Sequence, residues 1–362
     1  MSVVQQRLEP EVFRLPVARI REGYYSDQYF NLTRELLIAE DRRPQVLMQV
    51  FQKDESVFGG VDEAIAVVKQ CAGRHVGGGW EDGWDELVVH ALEEGDGIAA
   101  HETVMTIQGD YGLFAHLETV YLGCMARRTL VMRNVREVVD AAGGKPILYF
   151  PARHDHWLVQ TGDGWAAHVA GAIGVSTDAQ ASWWGGRGVG TVPHALIAAF
   201  NGDTVAAARA FSRHFGDQMQ VTVLVDFEND SVKTALEVAE GLGPDLWGVR
   251  LDTSDSLADL ELQRRHGPQA AKGVDAELVH LVRDALDEAG HPKVRIVASG
   301  GFNADRIRAF EAARVPVDAY GVGSALIRGS NDFTADVVVV DGRPCAKVGR
   351  EHRPNPRLSP VR

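Results

Sequence analysis

The chain has 362 residues, with 37 Lys and Arg against 50 Asp and Glu, a formal net charge of −13, and hydrophobic and charged fractions of 45% and 24%. An acidic surplus with no basic run longer than Arg-Arg argues against a nucleic-acid partner, which needs a surplus of cations, so any anionic substrate must be met by local groups. No run approaches the ~20 apolar residues of a membrane span, no apolar signal segment opens the chain, and Cys71, Cys124 and Cys345 are too scattered for a disulfide framework or a zinc knuckle, so a cytoplasmic protein with no membrane partner is expected.

Residues 1–112 read as a smaller α+β domain. Helical patterns lie near Gln28 to Glu40 and Gly60 to Cys71, a Gly77-Gly78-Gly79 loop follows, and short alternating strands surround Ala99 to Ile107. From Leu113 to Ala142 an apolar stripe through Leu117, Val120, Tyr121, Cys124, Leu130, Val135 and Val139 predicts one long helix, stopped at Gly143-Gly144. It joins the first domain to a second, residues 113–330.

Pro146 to Phe150 is the first strand of that second domain and runs into Pro151-Ala152-Arg153-His154-Asp155-His156. His154 and His156, two apart on an extended segment, share a face as metal ligands do, but no third ligand accompanies them. Arg153 reads as an anion-binding fork. A helix from Gly164 to Ile173, an extended Gly174 to Thr177 and a glycine-rich loop at Gly185 to Gly190 come next. Thr191 suits an N-cap and Pro193 the first turn of the following helix. His194 then stands at a positive dipole end that disfavours imidazolium and keeps the ring neutral. On position alone it reads equally as a packing histidine.

Between Val221 and Ser324 four apolar runs alternate with helical segments at Ser231 to Leu242, Asp275 to Ala289 and Asn303 to Ala313. Strand–helix–strand order implies parallel strands whose carboxyl ends carry the chemistry. Those ends are Asp226, Asp252, Ser299-Gly300-Gly301 and Gly321-Val322-Gly323-Ser324. One glycine turn alone signals only a tight bend; two on neighbouring strands, beside two aspartates, fit a phosphorylated sugar with its hydroxyls or a bound Mg²⁺. The fold expected is α/β, an irregular TIM-like barrel, with the smaller domain completed by residues 331–362, where a strand at Val337 to Val340 precedes a proline-rich tail.

Together these stretches resemble the nicotinate phosphoribosyltransferases, type II phosphoribosyltransferases. The motifs are Ser26 to Phe30, His116 to Gly123, Phe150 to Arg153, Gly190 to His194, Val225-Asp226, Gly248 to Asp252, Ser299 to Phe302, Asp318 to Ser324 and Lys347 to Arg350. Each is weak alone; their order and spacing as a set are specific. The resemblance implies an enzyme that couples nicotinate to phosphoribosyl pyrophosphate with ATP hydrolysis, in NAD biosynthesis, working as a homodimer or higher oligomer whose sites draw on both subunits. It implies Phe150 and, from the other subunit, Tyr29 (with Asp27) around the pyridine ring, and Arg153 on the nicotinate carboxylate or the pyrophosphate. Asp226, Arg250 and Asp252 are implied on ribose and pyrophosphate. Ser299, Gly300 and Gly301 together with Gly321, Val322, Gly323 and Ser324 take the 5′-phosphate. His194 matches the histidine that takes the phosphoryl group of ATP. Mg²⁺ enters with the pyrophosphate, with no direct protein ligands beyond Asp252 and Asp255. Two departures stand out: His154 where the family often has a second arginine, and Thr253-Ser254 where it has Ser-Gly. They leave nicotinamide or quinolinate transfer, or a non-catalytic pyridine nucleotide binder, as alternatives.

Overall fold

The computed structural model describes residues 7–361, which divide into two compact units. The first comprises residues up to 133 and from 329 onward, the second residues 134–328. The boundary thus falls inside the long helix, some 20 residues beyond where the sequence pattern placed it.

The first unit is built on a six-stranded antiparallel sheet, in the order Arg343–Pro344, Thr334–Val340, Gln45–Phe51, Thr103–Asp110, Val88–Ala91 and Ser359–Pro360. Two carboxyl-terminal segments therefore lie at its edges and one inside it. The helix Val61–Cys71 turns Val61, Ala64, Ile65 and Val68 inward at helical spacing, into one cluster with Met48, Val50, Met105 and Ile107. Alternation was expected around Ala99 to Ile107, but Thr103–Asp110 is buried at every position except Gln108, as befits a central strand. Helix Gln28–Ala39 buries none of its residues.

The expected helix from Leu113 starts later. Residues Tyr111–Leu113 and Ala115–Leu117 form two tight 3-10 turns, interrupted at Phe114 (φ −133°), and the α-helix runs Glu118–Ala141. Asp110 accepts a hydrogen bond from Gly112 N–H (2.9 Å), a local alternative to helix that the apolar stripe does not encode.

The second unit holds a curled sheet of six parallel strands, ordered Val221–Leu224, Leu246–Leu251, Arg295–Ala298, Ala319–Val322, Ile147–Tyr149 and Gly174–Val175. The pairings Leu224 with Arg250, Leu251 with Ala298, Ala298 with Tyr320, Val322 with Tyr149 and Tyr149 with Val175 bring all six carboxyl ends to one level. Two crossover helices begin at side-chain caps: Asn303 accepts from Arg306 N–H, and Asp275 from Glu277 N–H, each at 2.9 Å. Helix Ser231–Leu242 buries Ala235, Val238, Ala239 and Leu242.

Instead of the eight regular strands of a TIM barrel, the structure has these six and one irregular segment. Val189 N–H donates to Val175 O (2.7 Å) and Val192 N–H to Thr222 O (2.8 Å), so residues 189–192 bridge the two edge strands. That extended pairing excludes Thr191 as a helix cap; the helix is His194–Ala199, entered from Pro193 without a side-chain cap. The helix expected at Gly164 to Ile173 lies at Gln160–Val169. Among the described residues no helix is long and apolar enough to cross a membrane.

Candidate active site

The level carboxyl ends of the parallel strands surround a cavity of about 700 Å³. Its floor is organised by Arg250, which projects from its strand with every guanidinium nitrogen committed. Nε donates to Ser299 Oγ (2.8 Å), Nη1 to Thr191 Oγ1 (3.4 Å), and Nη2 pairs with Asp252 Oδ2 (3.3 Å). Ser299 Oγ in turn shares its proton between Asp252 Oδ1 (2.8 Å) and Leu251 O (2.9 Å). The guanidinium carbon lies 5.0 Å from the centroid of Phe150, a cation–π contact that fixes the aromatic face over the floor.

Two glycine turns form the neighbouring wall. Gly300 and Gly301 adopt φ of 83° and 72°, conformations that L side chains rarely take. Arg306, stacked 4.3 Å over Phe302, braces this turn by donating to Gly300 O (2.8 Å). Gly321 is required for another reason: a Cβ there would stand 2.8 Å from the Phe150 ring and 3.2 Å from Ser299 Cβ. Gly323 and Ser324 line the cavity, whereas Val322 is fully buried and contributes its carbonyl, which accepts from Phe150 N–H (2.8 Å).

His194 lies on the opposite side, its Nε2 2.9 Å from Oδ1 of the buried Asp226. The hydrogen bond to Asp226 raises the imidazole pKa above its ordinary value; burial opposes this, and the charges of Asp226 and Asp252 reinforce it. The expectation that a helix dipole keeps the ring neutral is therefore corrected. A six-residue helix contributes little beside a carboxylate at hydrogen-bond distance.

Arg153 and His154, both exposed, close the cavity from the turn after Ile147–Tyr149. Asp255 is exposed on the loop after Asp252. Asp27 and Tyr29 belong to the first unit, where Thr119 Oγ1 bonds both the N–H and Oδ2 of Asp27 (2.9 Å each) and Tyr29 is 61% exposed. Sequence reasoning missed two contributors, Thr191 as a partner of Arg250 and Arg306 as the brace of Gly300. The position of Arg306, three residues after the cap Asn303, was the available signal for the second.

Asp252 has both oxygens engaged, and among the described residues no group of three or more His, Cys, Asp or Glu stands close enough to hold a metal ion. This donor set fits a Mg²⁺ carried by a diphosphate and touched by one or two carboxylates, and does not fit an all-protein cage.

The family model for the amino-terminal domain of quinolinate phosphoribosyl transferase matches residues 27–129. A nicotinate phosphoribosyltransferase of Mycobacterium tuberculosis is 30% identical over 268 residues, 72% of this chain and 55% of the relative. The crystal structure of a nicotinate-nucleotide pyrophosphorylase from Pyrococcus furiosus superimposes with a TM-score of 0.79 at 31% identity, covering 96% of this chain and 85% of that one. The chain belongs to the type II phosphoribosyltransferase family, which holds the nicotinate phosphoribosyltransferases and the nicotinate-nucleotide pyrophosphorylases. Human nicotinic acid phosphoribosyltransferase shares the fold at 17% identity (TM-score 0.68, 89% of this chain, 76% of that one). The chain spans about half the length of the curated relatives it matches. In this family member the two glycine turns and the Arg250 network line one cavity, to which the irregular bridge at 189–192 supplies Thr191 and the helix after it supplies His194.

Proposed function

We propose that this protein transfers the phosphoribosyl group of phosphoribosyl pyrophosphate to the ring nitrogen of nicotinate, giving nicotinate mononucleotide and pyrophosphate. The observation that carries the reading is the Arg250–Asp252–Ser299 network set between two glycine turns under an aromatic face. The bond from the anomeric carbon to the diphosphate oxygen breaks, its electron pair leaving with pyrophosphate, while the pyridine nitrogen lone pair forms the new bond. No general base is needed, because that nitrogen carries no proton to remove. Asp252 faces the developing positive charge on the ribose, Arg250 holds the carboxylate in place, and the amides of the glycine turns receive the 5′-phosphate. Bound Mg²⁺, shared with Asp252 and Asp255, would neutralise the departing diphosphate.

ATP acts through His194. A neutral ring that donates Nε2–H to Asp226 leaves the Nδ1 lone pair free to attack the γ-phosphorus as the bond to ADP breaks. The phosphoryl group then stands beside the substrate cavity and works through affinity, outside the ribosyl transfer itself. The protein acts as a homodimer or higher oligomer, with Asp27 and Tyr29 of one subunit completing the pyridine site of the other. The exposed stripe Tyr25, Tyr29, Leu32 and Leu36 on and before helix Gln28–Ala39 supports this.

The matched quinolinate domain favours quinolinate as a second acceptor to test. A dicarboxylate needs a further cation, and with each nitrogen of Arg250 already partnered the cavity offers Arg153 and His154, which suits one carboxylate better. Pyrophosphate release measured with nicotinate, nicotinamide and quinolinate, each with and without ATP, tests the reading. No release with any of the three would remove it and leave a non-catalytic binder.

A further inference from the structure

The turn after Ile147–Tyr149 brings two cationic side chains to the cavity, and one of them is seated against the second glycine turn. A Cβ on Gly323 would come 2.8 Å from Cε1 and 3.2 Å from Nδ1 of His154, so the imidazole fills the space that any side chain at 323 would need. The backbone N–H of His154 donates to Pro151 O (2.8 Å), closing the Ala152–His154 turn that carries the ring. Neither ring nitrogen is engaged by a protein group, the residue is exposed, and it lines the same cavity as Gly300, Gly301 and Ser324. Each guanidinium nitrogen of Arg250 already has a protein partner, whereas among the described residues the His154 imidazole has none.

The charged groups around His154 are few. Its own turn supplies Arg153, Asp155 and His156; across the cavity stand His194, Arg250 and Asp252. The turn it packs against has no charged residue, and its one polar side chain, Ser324, receives Arg328 (Nη2 to Oγ, 3.3 Å).

We propose that His154 binds the phosphate seated on the Gly321–Ser324 turn, donating a ring N–H to it, and that this contact makes the protein's affinity for the phosphoribosyl substrate depend on pH. The inference rests on the phosphoribosyl reading above. A protonated imidazole offers two donors and a positive charge, a neutral one a single donor, so the protonated ring adds direct attraction to the phosphate charge. Histidine is the side chain that crosses between these forms from about pH 5 to 8. An arginine in this place would be charged throughout and confer no such dependence.

The test is calorimetric binding of phosphoribosyl pyrophosphate with Mg²⁺, without ATP or a pyridine, to the wild type, His154→Ala, His154→Asn and His154→Arg near pH 6 and near pH 8. The ligand's own protonation is common to all four and cancels in the comparison. At the lower pH, His154→Ala should weaken binding about five- to tenfold, and at the higher pH by no more than about twofold. His154→Asn, a neutral donor, should match the wild type at high pH and lack its gain at low pH; His154→Arg should keep tight binding at both. In turnover the change should appear in KM for phosphoribosyl pyrophosphate, with kcat near wild type. Equal affinities for wild type and His154→Ala at both pH values, or a loss confined to kcat, would overturn the inference. A wild type that neither binds nor turns over phosphoribosyl pyrophosphate would overturn the phosphoribosyl reading and this inference with it.

Discussion

Asp226 Oδ1 stands 2.9 Å from His194 Nε2, and this one contact sets both the orientation and the charge of the histidine. It occupies Nε2, leaving Nδ1 as the ring nitrogen without a hydrogen bond to the protein, and it raises the pH at which the ring loses its proton.

The consequence for catalysis has a definite sign. Phosphoryl transfer to Nδ1 requires the neutral ring, so ATP hydrolysis should rise with pH through a midpoint above the ordinary histidine value. Asp226→Asn removes the charge and most of the upward shift, so the acid limb of the ATPase profile should move to lower pH while the maximal rate drops, about tenfold or more, as the ring loses its orientation. His194→Ala should abolish ATP hydrolysis and ATP stimulation yet leave slow ATP-independent transfer. Initial rates against pH, with and without ATP, check both variants; an unshifted limb in Asp226→Asn would separate the histidine from the ATP step.

Arg250 makes three different hydrogen-bonding contacts and one aromatic contact, and lysine reproduces at most one of them. Arg250→Lys should therefore lower kcat/KM by about 100-fold or more, corresponding to a loss on the order of 3 kcal/mol. Both Asp252 and Phe150 would be left less constrained. Steady-state kinetics with nicotinate and phosphoribosyl pyrophosphate varied in turn should show both KM values rising. A change restricted to one substrate would mean that Arg250 acts on that substrate alone.

The parallel sheet was legible because each strand from Val221 onward is a short apolar run that ends in Asp226, Asp252, Ser299 or Gly321, and helical-period segments separate these runs. What stayed hidden depends on partners distant in sequence. Thr191 carries every local mark of a cap, but the hydrogen bonds of Val189 to Val175 and Val192 to Thr222 hold the segment extended and turn the hydroxyl toward Arg250. The direction in which the His194 pKa moves was misjudged for the same reason, since its decisive neighbour is 32 residues away. The helix stripe from Leu113 was real as an apolar pattern, yet Asp110 and Phe114 break its first turns, and periodicity does not report such breaks.

Glu118, at the first turn of the long helix, has its carboxyl pKa raised to about 8, by burial first and then by the charges of Asp336 and Asp27. A raised folded-state pKa means stability present below the unfolded value, near 4.5, and lost progressively as pH rises toward about 8. Glu118→Gln removes that loss. The variant should unfold at the same temperature as the wild type near pH 4.5 and several degrees higher above about pH 8, a gain on the order of a few kcal/mol. Scanning calorimetry at the two extremes reads the difference; equal midpoints at high pH would show that Glu118 is ionised without penalty.

Tyr29, Leu32 and Leu36 are 61%, 56% and 62% exposed, and their spacing of three and four residues places them on one stripe of a helix that buries nothing of its own; Tyr25, 48% exposed, lies in the turn before it. Apolar stripes of this kind are covered in the working state of a protein, and the family resemblance calls for Tyr29 to cover the pyridine site of a second subunit. Two substitutions separate assembly from stacking. Leu36→Asp puts a charge into the covered stripe without touching the tyrosine, so it should shift sedimentation from dimer to monomer and, through the lost shared site, lower activity in proportion to the monomer fraction. Tyr29→Ala should leave more of the dimer intact and raise KM for nicotinate about fivefold, the loss of one stacked face being worth on the order of 1 kcal/mol. Activity that follows dimer content across protein concentration in Leu36→Asp is the expected result. A wild type that sediments as a fully active monomer, or a Tyr29→Ala variant with unchanged KM, would show instead that the stripe serves neither assembly nor the pyridine site.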